Sequence, residues 1–228
     1  MQFFQLIRWL IVVGMVPALW GQVPLEKMTP FNRVQAEAIL RKPDFTFSTV
    51  TAPAQVRLGT MEKLFDHPRL AAAMWRECQF VPRFYAFALP ERGLVIIDPT
   101  GLSGTMTLAF REKGMRVYLV EGRVERWRMG NPFAVSARMV VIYKYWEGAK
   151  GYQSRMQTWT TLDSALLGTL TRPFRKYIQQ RQEQFIGYIM GNMAQGGEFA
   201  ERSHEEFLGP IEQEGDATAA KQFLQVFR

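Results

Sequence analysis

The feature that most restricts the fold of this chain is a run of short alternating segments between residues 83 and 161. Apolar and polar residues alternate in these segments, as they do in strands that bury one face. Short turns rich in glycine and proline separate most of them, and such connections suit antiparallel neighbours. The run therefore predicts an antiparallel meander, with strands at residues 83–89, Gly93–Asp98, 105–111, 115–127, 138–146 and 152–161.

Before the meander, the spacing of apolar residues predicts two helical segments and one strand. Residues 31–41 form the first helix, Phe45–Val50 the strand and residues 60–78 the second helix. Pro68 divides the second helix, because proline lacks a backbone N–H and disfavours helix at the residue before it.

After the meander, residues 172–195 predict one long amphipathic helix. Thr171 is suited to cap its start, and Gly196 and Gly197 are suited to end it. A helix with a broad apolar stripe needs a broad partner surface, and the sheet provides one. Residues 197–228 follow as an acidic, flexible tail with one short helix near its end.

This order of elements resembles the helix-grip fold of the START-like superfamily, which includes polyketide cyclase-like and lipid-transfer proteins. The resemblance covers about two thirds of the chain, through the strand at Phe45–Val50, the divided helix, the meander and the long helix. It implies an α+β fold in which an antiparallel meander curves around a long C-terminal helix, with short helices before it. It also implies an apolar cavity between sheet and helix, where family members commonly hold a lipid, sterol, quinone or polyketide.

Candidate cavity residues come from the strands and from the long helix. They are Tyr118, Arg123, Trp127, Tyr143, Tyr145, Trp159, Ile178, Phe185 and Ile189. The aromatic residues suit either a cavity lining or an ordinary core. Arg123 follows apolar positions on its strand, so it either meets a polar head group at the cavity mouth or lies at a solvated strand end.

The first residues predict the destination of the chain. Arg8 precedes an apolar run from Trp9 to Trp20, and Gly21 follows it. This is the pattern of a secretory signal peptide, and the run is shorter than the roughly 20 residues that span a bilayer. Residues 1–21 are therefore interpreted as a signal peptide that sends the chain to the periplasm or the outside of the cell. The alternative is an uncleaved membrane anchor.

The remaining boundaries and the charge follow from this interpretation. Residues 22–44 form a linker and short helix, residues 45–196 the helix-grip-like domain and residues 197–228 the tail. Residues 22–195 carry 24 Lys or Arg and 14 Asp or Glu, a net charge of +10, whereas residues 196–228 carry 3 and 7, a net charge of −4. A basic body suits an anionic membrane surface, and an exported chain is a poor candidate for binding nucleic acid.

Catalytic and metal-binding patterns are not found in the sequence. Its histidines, His67 and His204, and its one cysteine, Cys78, do not form a nucleophile–base or metal-ligand spacing. We therefore expect no cofactor, no metal and no catalytic residues. The leading hypothesis is a non-enzymatic carrier of a hydrophobic ligand. Two alternatives remain: an envelope interaction protein that docks through its basic surface, and a cyclase-type enzyme that uses cavity tyrosines.

Overall fold

The computed structural model describes residues 23–89, 93–99, 101–128, 131–163 and 175–227. The predicted signal peptide and the predicted helix cap at Thr171 lie outside these ranges. Within them, no helix is both long and apolar enough to cross a bilayer.

A seven-stranded antiparallel sheet forms the centre of the molecule, in the order β1-β7-β6-β5-β4-β3-β2. The strands are β1 (Phe45–Val50), β2 (Tyr85–Leu89), β3 (Gly93–Asp98), β4 (Leu102–Glu112), β5 (Met115–Arg128), β6 (Asn131–Gly148) and β7 (Gly151–Leu162). Strands β2 to β7 follow one another as the predicted meander, and β1 joins it beside β7. Tight turns such as that at Gly114, whose φ of +75° favours glycine, connect neighbouring strands.

The helices are α1 (Pro30–Arg41), α2 (Leu58–Asp66), α3 (Pro68–Glu77), α4 (Arg175–Arg202), α5 (His204–Gln213) and α6 (Ala217–Phe227). Thr29 begins α1, where its Oγ1 accepts a hydrogen bond from the Asn32 N–H at 3.3 Å. The predicted break at Pro68 is confirmed, since α2 ends at Asp66 and Pro68 occupies the first position of α3. The α+β fold class is likewise confirmed.

Helices cover both faces of the sheet. Alternation along β5 and β6 directs Val117, Leu119, Val140 and Ile142 to one face, where they pack against Ala36 and Ile39 of α1. We call this the α1 face. Tyr143, Tyr145 and Tyr152 point the other way and share a larger core with the remaining helices. We call this the helix face.

The long helix α4 continues past its predicted end at Gly196 and Gly197 and reaches Arg202. At least one of these glycines lies at a close contact instead of ending the helix. A Cβ on Gly197 would lie 3.1 Å from a methyl group of Val56 and 3.2 Å from the sulfur of Met61, so a side chain there would crowd the packing of α4 against α2 and the residues before it.

The C-terminal segment is folded, which corrects the prediction of a flexible tail. Helices α5 and α6 bury Phe207, Ile211, Phe223 and Val226 in the core of the helix face. The spacing of these residues is helical, but a large number of acidic residues conceals it in the sequence. Two of those acids bind α3: Asp216 pairs with Arg69 at 2.7 Å, and Glu214 pairs with Arg76 at 2.5 Å.

The extension of α4 also caps the start of α2. The Glu201 carboxylate accepts hydrogen bonds from the Arg57 N–H at 3.2 Å, from Arg57 Nε at 3.0 Å and from the Thr60 hydroxyl. A carboxylate at a helix N-terminus satisfies free N–H groups and interacts favourably with the helix dipole.

We expect Glu201→Gln to lower the free energy of unfolding by about 1 kcal/mol, because a neutral amide replaces a charged acceptor at this cap. Chemical denaturation measures the change. Glu212→Gln is the matched control, since Glu212 is an exposed acid at the C-terminal end of the next helix and caps no helix N-terminus. Equal losses in both variants would contradict the capping role.

Candidate functional site

At one end of the helix face, a buried arginine joins the sheet to α2. The Arg116 side chain is 4% exposed and donates to the Asp66 carboxylate at 2.8 Å, the Glu62 carbonyl at 3.2 Å and the Tyr145 hydroxyl at 3.4 Å. Its guanidinium also lies 5.3 Å from the centroid of the Phe65 ring. Asp66, Glu62 and Phe65 all belong to α2, so these contacts fix α2 on the sheet.

Beside this arginine lies a cluster of buried tyrosines. The hydroxyls of Tyr143 and Tyr152 are 2.7 Å apart, and the rings of Tyr143 and Tyr145 are 5.7 Å apart. Burial raises the pKa of Tyr143 to about 12 and raises the pKa of Tyr152 and Tyr118 as well. These hydroxyls are therefore neutral near pH 7, and they are poor proton donors for catalysis.

The core around this end is filled. A cavity of about 10 Å³ lies between α3 and α4, lined by Met74, Trp75, Phe80 and Met193 among others. A space of that size is about what one water molecule requires. Tyr143, Tyr145 and Tyr152 are themselves 5% exposed or less, so the tyrosine end of the described sheet contributes to the packed core.

The helix face is more open farther along the same strands. Met106 of β4, Val120 of β5 and Met139 of β6 are cross-strand neighbours, and each is partly exposed. We call these three residues the methionine row. It lies between two helices, because α4 contacts β1 at one edge of the sheet and α3 contacts β2 at the other.

The next row along the sheet has almost no side chains. Gly104, Gly122 and Ala137 are cross-strand neighbours on the helix face, and we call them the glycine row. Gly104 is required by packing, since a Cβ there would lie 2.8 Å from the Glu121 carbonyl oxygen. Small residues beside larger apolar ones leave little side-chain volume on this part of the helix face. We call the two rows together the apolar floor, and they are the candidate ligand site.

Behind this floor, on the α1 face, lies an open polar hollow of about 490 Å³. Its lining includes the side chains of Glu121, Arg123, Ser136 and Arg138, and also the three residues of the glycine row. Arg138 pairs with Asp163 at 2.9 Å. Arg123 therefore lies on the opposite side of the sheet from the tyrosine cluster.

The predicted cavity residues occupy several separate places. Tyr118, Tyr143 and Tyr145 lie together on the helix face, whereas Arg123 and Trp159 belong to the α1 face. Phe185 of α4 is exposed and Ile189 is partly buried. The side chains of Trp127 and Ile178 lie outside the described part of the structure.

Sequence reasoning missed the methionine and glycine rows as a unit. An isolated glycine inside a strand often marks close approach of a backbone or a ligand, so Gly104 and Gly122 were the available signal. Their alignment depends on the register between β4 and β5, which a single strand pattern does not give.

Reactive groups contribute little to this site. Burial and the nearby charge of Glu77 raise the pKa of the Cys78 thiol to about 11, so it is protonated near neutral pH. His67 lies at the junction of α2 and α3. Among the described residues, no group of three or more His, Cys, Asp and Glu side chains is arranged to hold a metal ion.

Comparisons with protein-family models, with curated proteins and with solved structures found no significant match to this chain.

Proposed function

We propose that this protein binds a hydrophobic molecule of the lipid, sterol or quinone class on the helix face of its sheet and carries it without changing it chemically. We further propose that it belongs to the START-like group of helix-grip proteins and that it acts after export. The order of the strands and helices is compatible with that fold.

The observation that carries the proposal is the pair of rows on the helix face. The methionine row offers flexible, polarisable side chains that adapt to ligands of different shape. The glycine row carries no side chain larger than a methyl group, whereas neighbouring rows carry larger ones. An apolar surface between helices is a place where a hydrophobic ligand can bind.

Binding without chemistry is supported by the state of the nearest polar groups. Tyr143 and Tyr152 bond to each other, and Arg116 is held by Asp66 and Tyr145. These groups form hydrogen bonds within the protein and are buried beside the tyrosine cluster. A cyclase-type reaction would need an acid or base that reaches the ligand.

The test is to fill the glycine row and measure binding of an apolar fluorescent probe. In Ala137→Leu, the added side chain extends over the floor, and we expect the affinity of delipidated protein for N-phenyl-1-naphthylamine to fall about tenfold, as loss of one well-buried apolar contact implies. Titration followed by probe fluorescence measures the affinity.

Ser136→Leu is the matched control, because Ser136 adjoins Ala137 on the same strand and points to the α1 face. It adds a leucine to the sheet without entering the floor, so its affinity for the probe should match that of the wild type. Circular dichroism confirms that both variants are folded. Equal affinities in all three folded proteins, or absence of probe binding to the wild type, would overturn the proposal.

A further inference from the structure

An exposed apolar patch joins α4 to the loop that follows α3. Val81 is 64% exposed, and Phe185 and Tyr188 are each 41% exposed. With Pro82 they line an open hollow of about 470 Å³. We call these four residues the docking patch. Large apolar side chains that cluster on a surface commonly mark a place of interaction.

The patch is held in place by contacts beneath it. The Val81 N–H donates to the Tyr188 hydroxyl at 3.3 Å, and Trp75 Nε1 donates to the Pro82 carbonyl at 2.6 Å. The rings of Trp75 and Tyr188 meet edge to face, with their centroids 6.1 Å apart. Loop and helix are thus fixed to a common buried tryptophan, and the patch exists before any partner binds.

The charge beside the patch indicates the partner. Along the first turns of α4, from residue 175 to residue 185, the chain carries Arg175, Lys176 and Arg181 against a single acid, Glu183. The exposed Arg83 follows Pro82 on the other side of the patch. Aromatic side chains beside a basic helical segment are typical of proteins that lie in the interface of an anionic membrane. A second copy of this chain would instead bring two basic segments together.

We propose that the docking patch inserts into the interface of an anionic lipid bilayer, while the basic first turns of α4, at residues 175–181, contact the lipid head groups. This surface is distinct from the floor formed by the methionine and glycine rows. The proposal of membrane docking can therefore be tested independently of the proposal that the protein binds a hydrophobic ligand.

The experiment uses the full chain with one fluorescent label in the patch. Gln184→Cys, made together with Cys78→Ser, places an environment-sensitive NBD label among the docking residues. We expect a blue shift and a rise in emission with vesicles that contain phosphatidylglycerol. The change should be smaller with phosphatidylcholine alone, and added salt should reduce it. Because the label reports its own surroundings, the result does not depend on how residues 1–21 behave.

A label at Val34→Cys is the matched control, since Val34 is exposed on α1 at the other face of the sheet. Its emission should not change with vesicles. In the patch-labelled protein, Phe185→Gln should weaken vesicle partitioning about tenfold, as expected when an inserted phenylalanine is lost. Phe31→Gln removes a phenylalanine that is 72% exposed on α1 and should leave partitioning unchanged.

Three outcomes would overturn the docking proposal. The first is an absence of response to anionic vesicles, and the second is an equal response of the two labels. The third is a concentration-dependent dimer without vesicles that Phe185→Gln disrupts, because the patch would then bind a second copy. Probe binding by the same variants, measured without vesicles, shows independently whether the ligand site is intact.

Discussion

Replacement of Asp66 by alanine should lower the free energy of unfolding by about 2 kcal/mol, because it leaves the buried Arg116 charge without its carboxylate. Arg116 keeps its contacts with Tyr145 and the Glu62 carbonyl, and the Asp66 side chain is itself exposed, at 43%. The expected loss is therefore smaller than that for a fully buried ion pair. Urea denaturation near pH 7 measures it.

Arg111→Gln is the control for this prediction. Arg111 also pairs with Asp66 at 2.8 Å, but both side chains of that pair are well exposed. Exposed ion pairs contribute little, so the loss should be below about 1 kcal/mol. If Arg111→Gln costs as much as Asp66→Ala, the importance assigned to the burial of Arg116 is wrong.

The same ion pair predicts a dependence on pH. Partial burial alone would raise the pKa of Asp66, but the hydrogen bond and charge of Arg116, with the charge of Arg111, lower it overall. The stabilisation is therefore present above the pKa of the unfolded chain and is lost as pH falls through the lower folded pKa. The stability difference between wild type and Asp66→Ala should shrink in acid. A difference that grows on acidification would contradict this sign.

Truncation of Phe223 to alanine should cost more, about 3 to 5 kcal/mol, because it leaves a cavity in a packed core. Phe223 is 1% exposed, and its ring centroid lies 4.7 Å from that of Phe227 and 6.1 Å from that of Phe207. Thermal and urea denaturation measure the loss. A large effect would show that α6 belongs to the cooperative core.

Gln225→Ala provides the control within the same helix, since Gln225 is exposed and alanine is a good helix former. It should change the free energy of unfolding by less than about 0.5 kcal/mol. A loss below 1 kcal/mol in Phe223→Ala would mean that the C-terminal segment separates from the core, as a flexible tail does.

Local rules were sufficient for several of the regular elements of this fold. Strand β1 has the predicted bounds, because Phe45 and Phe47 alternate with polar residues and turn signals flank them. The break between α2 and α3 follows from Pro68 alone. Gly197 shows where such rules fail, since its role is set by Val56 and Met61, which are distant in sequence. A glycine that ends a helix and one that permits helix packing look alike in the sequence.

The candidate site was less predictable, because it depends on which strand faces meet. Tyr118 and Arg123 are an odd number of positions apart on β5, so their side chains point to opposite faces. That separation was visible in the sequence. The meeting of Met106, Val120 and Met139 was not visible, because it requires the register of three strands. The floor therefore emerged only from the paired sheet.

The position of β1 beside β7 has a consequence for the order of folding. Phe45 pairs with Thr160, and Val50 pairs with Arg155, so the first strand of the chain pairs with the last one. Contacts between distant segments form slowly, because the intervening chain must first be brought together. Until residues 151–162 join the sheet, β1 has no edge to bind. We therefore expect β1 to join the sheet only after β7 has formed. Until then, a newly made chain exposes an incomplete sheet.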